Sequence, residues 1–488
     1  MTKVTLISSK DREGPPPGRP DSLYEKRNQI YPKLAHGKFR LVKWLVMAVT
    51  LGVYYLIPWI RWPRGEGIPD QAVLADFDGE KFYFFFLEIW PQEIYFLGGL
   101  IILAALGLFL VTSLFGRVWC GYTCPQTVWT DLYIWVERAF EGDRAARIRL
   151  DKAPMSFNKA WRKGGKHAVW LLIAFLTGGA FILYWHDAPT IARTWFTGEA
   201  PLTAYFFAAI LTFTTYMLAG TMREQVCTYL CPWPRIQGAL TDEYALNVTY
   251  RYDRGEPRAP HRKDESWDGR GDCIDCKQCV QVCPMGIDIR DGAQLECIHC
   301  ALCIDACDDI MRKVGRPTAL IAYDTDKAVE QRAAGIKPRY SFLRMRTVLY
   351  AVLIVLISTL MIWGYASKST YEFSALKDRS PPFIKLSDGR VRNGYTLKLV
   401  NKSTITQAVE VTVSGLEDAE FEIIGLGAAQ AEGTLTLTSE AHGVDRYRLL
   451  VTAPAGEGKT QDNLIVEIVD TDTGESVTAS APFTTGDH

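Results

Sequence analysis

The stretch CIDCKQCVQVCP, residues 273–284, spaces four cysteines as C-x2-C-x2-C-x3-C and follows them with proline. The stretch CIHCALCIDAC, residues 297–307, repeats the spacing. Bacterial ferredoxins hold two [4Fe–4S] clusters in this way, and the fourth cysteine of each run serves the other cluster. We therefore predict an inserted ferredoxin-like domain with two [4Fe–4S] clusters. One predicted set of ligands is Cys273, Cys276, Cys279 and Cys307, and the other is Cys283, Cys297, Cys300 and Cys303.

A pair of structural zinc sites is the main alternative for these eight cysteines. Zinc ribbons use four cysteines in two CxxC pairs, and two identical four-cysteine runs do not match that pattern. Asp308 stands where proline usually follows the fourth cysteine, but proline is not a ligand, so the assignment is unaffected. A carboxylate there is expected to lower the potential of the nearby cluster. Two linked clusters transfer single electrons, so this segment indicates an electron relay and leaves its donor and acceptor open.

The ferredoxin segment lies between strongly apolar stretches. The chain has 488 residues, 48% of them apolar and 22% charged, with a net charge of −1. The balanced charge gives no indication of a nucleic-acid partner. Several stretches of membrane-spanning length are almost wholly apolar, which excludes a purely soluble protein. We predict five transmembrane helices, at 41–58, 93–115, 169–185, 202–221 and 348–364.

Lysine and arginine are unevenly distributed between the loops. They are dense before the first predicted helix and after the second and fourth, and sparse in the two loops between. The positive-inside rule then places the N-terminus in the cytoplasm and the C-terminus outside. All 12 cysteines lie on or near the cytoplasmic side, where thiols stay reduced or bind metals. The predicted organisation is a cytoplasmic segment 1–40, a membrane domain 41–250 with four helices, a cytoplasmic ferredoxin-like domain 251–346, a fifth helix 347–365 and an outer domain 366–488.

The four remaining cysteines form two CxxxCP motifs, Cys120/Cys124 and Cys227/Cys231, after the second and fourth predicted helices. Proline suits the first position of a helix, so each pair is predicted to lie in a turn leading into a helix. A helix N-terminus lowers the pKa of a thiol there and favours the thiolate. Three interpretations stay open: buried apolar cysteines, a disulfide-forming dithiol pair, and a four-thiolate metal or redox site.

The identical spacing and equivalent topological positions of the two motifs favour the shared four-thiolate site. Soft thiolates prefer Cu(I), zinc or iron–sulfur. Met217 and Met222, just before the second motif, are candidate thioether ligands, although lone methionines more often serve packing.

The C-terminal region has a different pattern. Apolar and polar residues alternate with a period of two over short stretches separated by turn residues, which predicts a small β-sandwich. A sandwich of this kind more often serves docking or structure than catalysis. The clearest predicted strands are 395–400, 408–413, 434–438, 447–451 and 464–469.

Four stretches carry a resemblance to a known family: GRVWCGYTCPQTVWT at 116–130, REQVCTYLCP at 223–232, RGEPR at 254–258 and NGYTLK at 393–398. Together with the double ferredoxin run, the sequence resembles the cytochrome c oxidase accessory proteins of the CcoG/FixG/RdxA type over nearly its whole length. The resemblance implies a bacterial inner-membrane protein, which agrees with the five predicted transmembrane helices. It also implies a cytoplasmic two-cluster ferredoxin domain and a periplasmic immunoglobulin-like β-sandwich.

The resemblance further implies a cupric reductase that supplies Cu(I) for assembly of a cbb-type cytochrome c oxidase. The ferredoxin cysteines would feed electrons to the copper site. Implied partners are the membrane, a copper exporter or copper chaperones, the oxidase subunits and an unidentified electron donor, and a homodimer is left open. The residues that would bind or reduce copper are Cys120, Cys124, Cys227 and Cys231.

Two other functions compete with this one. The first is a quinol-linked subunit that passes electrons through its clusters to another redox partner, since membrane subunits of the nitrate and nitrous-oxide reductase systems look similar. The fifth helix and the β-sandwich favour the cupric reductase over the nitrate-system subunits. The second is a scaffold whose clusters are structural.

Overall fold

The computed structural model describes residues 29–65, 68–77, 79–262, 265–403, 405–416, 418–430, 433–441, 443–454 and 461–484. Most of the predicted N-terminal segment, residues 1–28, lies outside the described residues. The described chain forms two compact units. The first extends to Ser358 and contains the ferredoxin segment, and the second begins at Thr359.

The first unit is mainly helical. Its helices, the last of which continues into the second unit, are α1 Lys38–Leu56, α2 Ile94–Phe115, α3 Val118–Tyr122, α4 Pro125–Glu141, α5 Arg144–Lys152, α6 Phe157–Ile182, α7 Ala188–Thr197, α8 Leu202–Thr215, α9 Trp233–Leu240, α10 Tyr252–Gly255, α11 Gln278–Val282, α12 Leu302–Lys313, α13 Asp326–Ala333 and α14 Met345–Ala366. Two π-helical segments between α8 and α9 are Tyr216–Met222 and Val226–Leu230. A three-stranded meander between α1 and α2 consists of β1 Val73–Asp76, β2 Lys81–Phe84 and β3 Leu87–Ile89.

Five helical segments within the described residues are long and apolar enough to cross a membrane. They correspond to the five predicted ones and are Lys38–Trp59, Pro91–Phe115, Phe157–Ile182, Leu202–Met222 and Met345–Ala366. The third begins twelve residues before the predicted start at 169. Ser156 caps it by accepting a hydrogen bond from the Lys159 backbone N–H, so the helix begins at a polar cap. Hydropathy marks only where its apolar part begins.

The ferredoxin segment is joined to the membrane helices by buried polar contacts. Asp305, on α12, accepts hydrogen bonds from the backbone N–H groups of Phe39 at 3.2 Å and Arg40 at 2.7 Å, which begin α1. The Arg40 side chain forms a buried ion pair of 2.8 Å with Asp131 on α4. One carboxylate between two predicted cluster ligands therefore caps a membrane helix, and the helix in turn is tied to α4.

A short sheet closes the ferredoxin segment. β4 Asn247–Tyr250 pairs antiparallel with β5 Ile321–Asp324. β4 ends at Tyr250, the last residue of the predicted membrane domain, so this strand pairs across the predicted boundary. The boundary at 250 stays a prediction.

The second unit is a β-sandwich, as predicted. Its strands are β6 Tyr371–Lys377, β7 Ile384–Lys385, β8 Val391–Asn401, β9 Gln407–Ser414, β10 Glu420–Ile423, β11 Gly427–Gln430, β12 Thr434–Ser439, β13 Val444–Ala453, β14 Gln461–Asp470 and β15 Ser476–Thr484. One sheet has the order β11-β10-β13-β8-β6 with β7 beside β8, and the other has the order β12-β9-β14-β15. Tyr395, Phe421 and Phe483 are fully buried in its core. Each of the five predicted strands lies within an observed one.

Candidate redox site

The first CxxxCP motif forms the turn between α3 and α4, as its proline predicts. Cys120 lies on α3, Cys124 is the N-cap of α4, and Pro125 is its first residue. The hydroxyl of Thr127 donates to the carbonyl oxygen of Cys120 at 2.6 Å. This bond fixes the turn between the two cysteines.

The second motif leads into α9 in a similar way. Cys227 lies in the π-helical segment Val226–Leu230, and Cys231 adopts an extended conformation just before Pro232. Gln237, fully buried on α9, faces the first motif, and its Oε1 lies 3.2 Å from the Cys120 Sγ. The side-chain amide of Gln126, on α4, donates hydrogen bonds to backbone carbonyl oxygens in the segment just before the second motif. These contacts bring the two motifs together into what we call the four-cysteine site: Cys120, Cys124, Cys227 and Cys231.

The thiols of this site influence one another. Burial, followed by the neighbouring Cys124 and Cys227 thiols, raises the pKa of Cys120 to about 12. Burial, followed by Cys124 and Cys231, raises the pKa of Cys227 to about 12. The expectation of a lowered pKa is therefore wrong for these two, because they lie a turn before the helix N-terminus and desolvation dominates. They lose their protons readily only when a cation takes the protons' place.

The two ferredoxin runs adopt the same backbone path. Asp275 and Lys277 flank Cys276 with φ of 51° and 54°, and His299 and Ala301 flank Cys300 with φ of 54° and 59°. Left-handed backbone is uncommon for residues other than glycine. Its repetition at equivalent positions curls each run around a central space before the chain enters α11 or α12.

Each curled run borders a cavity. The first, cluster cavity 1, is lined by Cys273, Cys276, Cys279 and Cys307. The second, cluster cavity 2, is lined by Cys283, Cys297, Cys300 and Cys303, and Cys279 reaches it as well.

The cysteines line the walls of these two cavities, and their sulfur atoms do not converge on a single position. Among the described residues, no three His, Cys, Asp or Glu side chains converge on a position for a single metal ion. Burial raises the pKa of Cys283, and of Cys297, to about 12. Four soft sulfur donors around an enclosed space fit a cubane cluster, whose iron atoms replace the thiol protons.

The four-cysteine site touches cluster cavity 2 through the backbone. A Cβ added to Gly121 would lie 2.7 Å from the Ile298 carbonyl oxygen and 3.0 Å from the Cys300 Cα. The residue next to Cys120 therefore packs directly on the loop that carries Cys297 and Cys300.

Arg117 fixes this contact. Its backbone N–H donates to His299 Nδ1 at 3.0 Å, and its guanidinium donates to the carbonyl oxygens of Leu295, Cys297 and Pro234. Burial lowers the pKa of His299 to about 3, so the imidazole is neutral and its Nδ1 can accept. Sequence reasoning did not identify Arg117, Gly121 or Gln237, because their contacts join segments more than a hundred residues apart.

Three family models match the chain. A 4Fe-4S binding domain matches residues 97–141, a 4Fe-4S dicluster domain matches 222–326, and the IG-like fold at the C-terminal of FixG matches 361–486. With the five apolar helices, they define a membrane-bound iron–sulfur protein of electron transport.

Two curated relatives are similar over most of their length. Nitrogen fixation protein FixG of Rhizobium meliloti is 48% identical over 463 residues, which cover 89% of this chain and 88% of the relative. Protein RdxA of Cereibacter sphaeroides is 47% identical over 439 residues, covering 89% and 92%. The chain belongs to the FixG/RdxA family. A crystal structure of a FixG-related protein from Vibrio parahaemolyticus, 21% identical, covers 24% of this chain and 97% of its own, with a TM-score of 0.20.

Proposed function

We propose that this protein is a cupric reductase: it binds Cu(II) at the four-cysteine site, reduces it to Cu(I), and supplies that ion for assembly of a cbb-type oxidase. The observation that carries the proposal is the backbone contact of Gly121 with the Ile298–Cys300 loop. It sets a soft-metal site against the wall of a cluster cavity.

The donor set suits the product of the reaction. Thiolates are soft donors that favour Cu(I) over the harder Cu(II), so the site stabilises the reduced ion over the oxidised one. Reduction of Cu(II) takes one electron, and [4Fe–4S] clusters, when bound, supply electrons singly. For all four sulfurs to bind one ion, the cysteine side chains must rotate inward. Cys231 is exposed, so its side chain has room to rotate.

We propose the same ligands for the clusters as the spacing predicts. Cys273, Cys276, Cys279 and Cys307 hold one cluster, and Cys283, Cys297, Cys300 and Cys303 hold the other. Their grouping around two separate cavities supports this assignment. We also propose that the ferredoxin segment is cytoplasmic and the β-sandwich periplasmic in a bacterial inner membrane, because lysine and arginine crowd the loops on the ferredoxin side. Cu(I) would then pass to a copper exporter or chaperone.

The test uses the purified full-length protein with its clusters, kept anaerobic. The clusters are reduced, excess reductant is removed, and Cu(II) is added in the presence of a Cu(I)-specific chelator. Cluster absorbance and the Cu(I)–chelator colour are followed together. The variant is Cys120→Ser/Cys227→Ser, and the control is Thr123→Ala, which alters the first motif without removing a sulfur.

Iron analysis accompanies the assay, since two four-iron clusters require about eight iron atoms per chain. We expect the double variant to keep its iron and to lose copper-dependent reoxidation, while the control matches the unmodified protein. Equal reoxidation by both variants would show that copper takes electrons nonspecifically. About twelve iron atoms in the unmodified protein, falling to about eight in the double variant, would show that the four-cysteine site holds a third cluster. Either of those results refutes the proposal.

A further inference from the structure

Met285 lies between the four-cysteine site and cluster cavity 2. It is 9% exposed and follows Cys283 by two residues. It belongs to a buried cluster with Ile298, Cys300 and others, and Cys120 and Cys227 pack against that cluster.

Met285 lines two separate cavities. On one side it lines a small cavity together with Cys227. On the other it lines cluster cavity 2 together with Cys283 and Cys300. Ile298 also borders both spaces, but it has no donor atom. Among the described residues that border both cavities, Met285 alone carries sulfur.

A thioether at this position has chemical properties that the thiols lack. Methionine sulfur is a soft donor that suits Cu(I). A thioether has no proton to lose, so it can bind a metal ion without first being deprotonated. Methionine also has three rotatable bonds, so its sulfur can shift toward an ion without moving the backbone.

We propose that the Met285 sulfur is a ligand of the copper ion in the four-cysteine site, and that Cys283-Pro284-Met285 is the covalent link between that ion and cluster cavity 2. The proposal rests on the proposed cupric reductase. Cu(II) gains the single electron that a reduced cluster loses, and Met285 contributes only a dative S–Cu bond, without gain or loss of a proton.

Met217, a candidate thioether ligand from sequence, provides a matched control. Its sulfur lies 3.8 Å from the hydroxyl of Thr221 within the same apolar helical segment. It lines neither of the two cavities that border Met285. Met217→Leu therefore removes a sulfur from the same molecule without removing the proposed ligand.

The first experiment measures Cu(I) affinity by competition with a Cu(I) chelator, using the full-length protein with its clusters. Leucine conserves the volume of methionine, so Met285→Leu is expected to preserve packing. We expect its Cu(I) affinity to fall at least as far as the roughly 10–100-fold that loss of a supporting residue costs a metal site. Met217→Leu is expected to match the unmodified protein, and Cys120→Ser/Cys227→Ser to lose binding.

The second experiment needs no substitution at Met285. Protein labelled with selenomethionine is loaded with Cu(I), and X-ray absorption at the copper edge is used to detect a Cu–Se distance. We expect selenium in the copper coordination shell, and we expect Met217→Leu to retain it.

The results separate this inference from the proposed function. If the cysteines retain Cu(I) but Met285→Leu binds as tightly and no selenium lies at the copper, the Met285 assignment is wrong and the reductase proposal stands. If the unmodified protein shows no cysteine-dependent Cu(I) binding, both fail.

Discussion

Replacing Gly121 with alanine perturbs the contact between the four-cysteine site and the Ile298–Cys300 loop. The added Cβ would lie 2.7 Å from the Ile298 carbonyl oxygen and 3.0 Å from both the Cys300 Cα and the His299 carbonyl oxygen. All three are backbone atoms, so no side chain can rotate away. The two segments must separate by about 0.4–0.7 Å to restore ordinary contact.

Two opposing effects set the size of the change in stability. Alanine in place of glycine stabilises a helix by about 1 kcal/mol, and Gly121 lies on α3. Overpacking in a tight interior costs about 1–3 kcal/mol. We therefore expect a net loss of about 1 kcal/mol in the free energy of unfolding. Because a 1 Å misplacement can cost about 100-fold in rate, we expect copper reduction to slow by about 10-fold.

The assay is the anaerobic reoxidation of reduced clusters by Cu(II), with melting temperature measured on the same samples. Gly107→Ala is the matched control. Gly107 lies on α2, where an added Cβ meets nothing within 4 Å. The same chemical change there is expected to leave the rate unchanged and the melting temperature equal or higher.

If Gly121→Ala melts lower than the unmodified protein but reduces copper at the same rate, the contact is structural and electrons reach copper by another path. If both rate and melting temperature are unchanged, the close approach of the two backbones is itself wrong.

Three further changes test other parts of the structure. Asp305→Ala removes the acceptor of two backbone hydrogen bonds at the start of α1, so we expect the free energy of unfolding to fall by about 1–2 kcal/mol. The melting temperature should be lower than that of the unmodified protein, with the value for Asp305→Asn between the two. Glu137→Gln removes the carboxylate whose Oε2 lies 2.6 Å from Nη1 of the fully buried Arg147. Because the guanidinium then loses its negative partner, we expect the free energy of unfolding to fall by about 3–5 kcal/mol. The measurement is the recovery of folded protein, and recovery at the unmodified level would contradict the prediction. Burial alone would raise the pKa of Asp470, but the Tyr371 hydroxyl and nearby backbone N–H groups hold it below the usual 3.8. This carboxylate therefore stabilises the sandwich fully when the pH is above its usual pKa of 3.8. The stabilisation is lost as the pH falls through the lowered pKa of the folded protein. We expect the melting temperature of the β-sandwich in the full-length protein to fall when the pH is lowered below about 4, and to fall less steeply in Asp470→Asn.

Elements whose pattern is imposed by one dominant interaction could be predicted from the sequence. Cluster ligation imposes the cysteine spacing of 273–283 and 297–307, and the bilayer imposes the length of the apolar segments. The pleat of a half-buried strand imposes the period of two seen in 395–400 and 464–469. Each of these patterns is local, so the sequence displays it within a single window.

Features that depend on tertiary contacts could not be predicted in this way. The start of α6 at Phe157 depends on a cap that hydropathy does not detect. The raised pKa of Cys120 and of Cys227 depends on packing against Met285 and its neighbours, whereas the local sequence shows only a proline and a helix start. A local electrostatic rule gave the wrong sign because burial, a global property, outweighs it.

Arg117 shows how such distant contacts are held in place. Its guanidinium donates to carbonyl oxygens on the Leu295–Cys297 loop and to that of Pro234 in the first turn of α9, and its own backbone continues into α3. A single side chain thus connects three segments: the first CxxxCP motif, the helix that follows the second, and the wall of cluster cavity 2. A planar fork of five donors can reach several carbonyl groups at once, which the single ammonium of lysine cannot do with the same geometry. The position of the four-cysteine site beside cluster cavity 2 is therefore fixed by contacts of the protein chain itself.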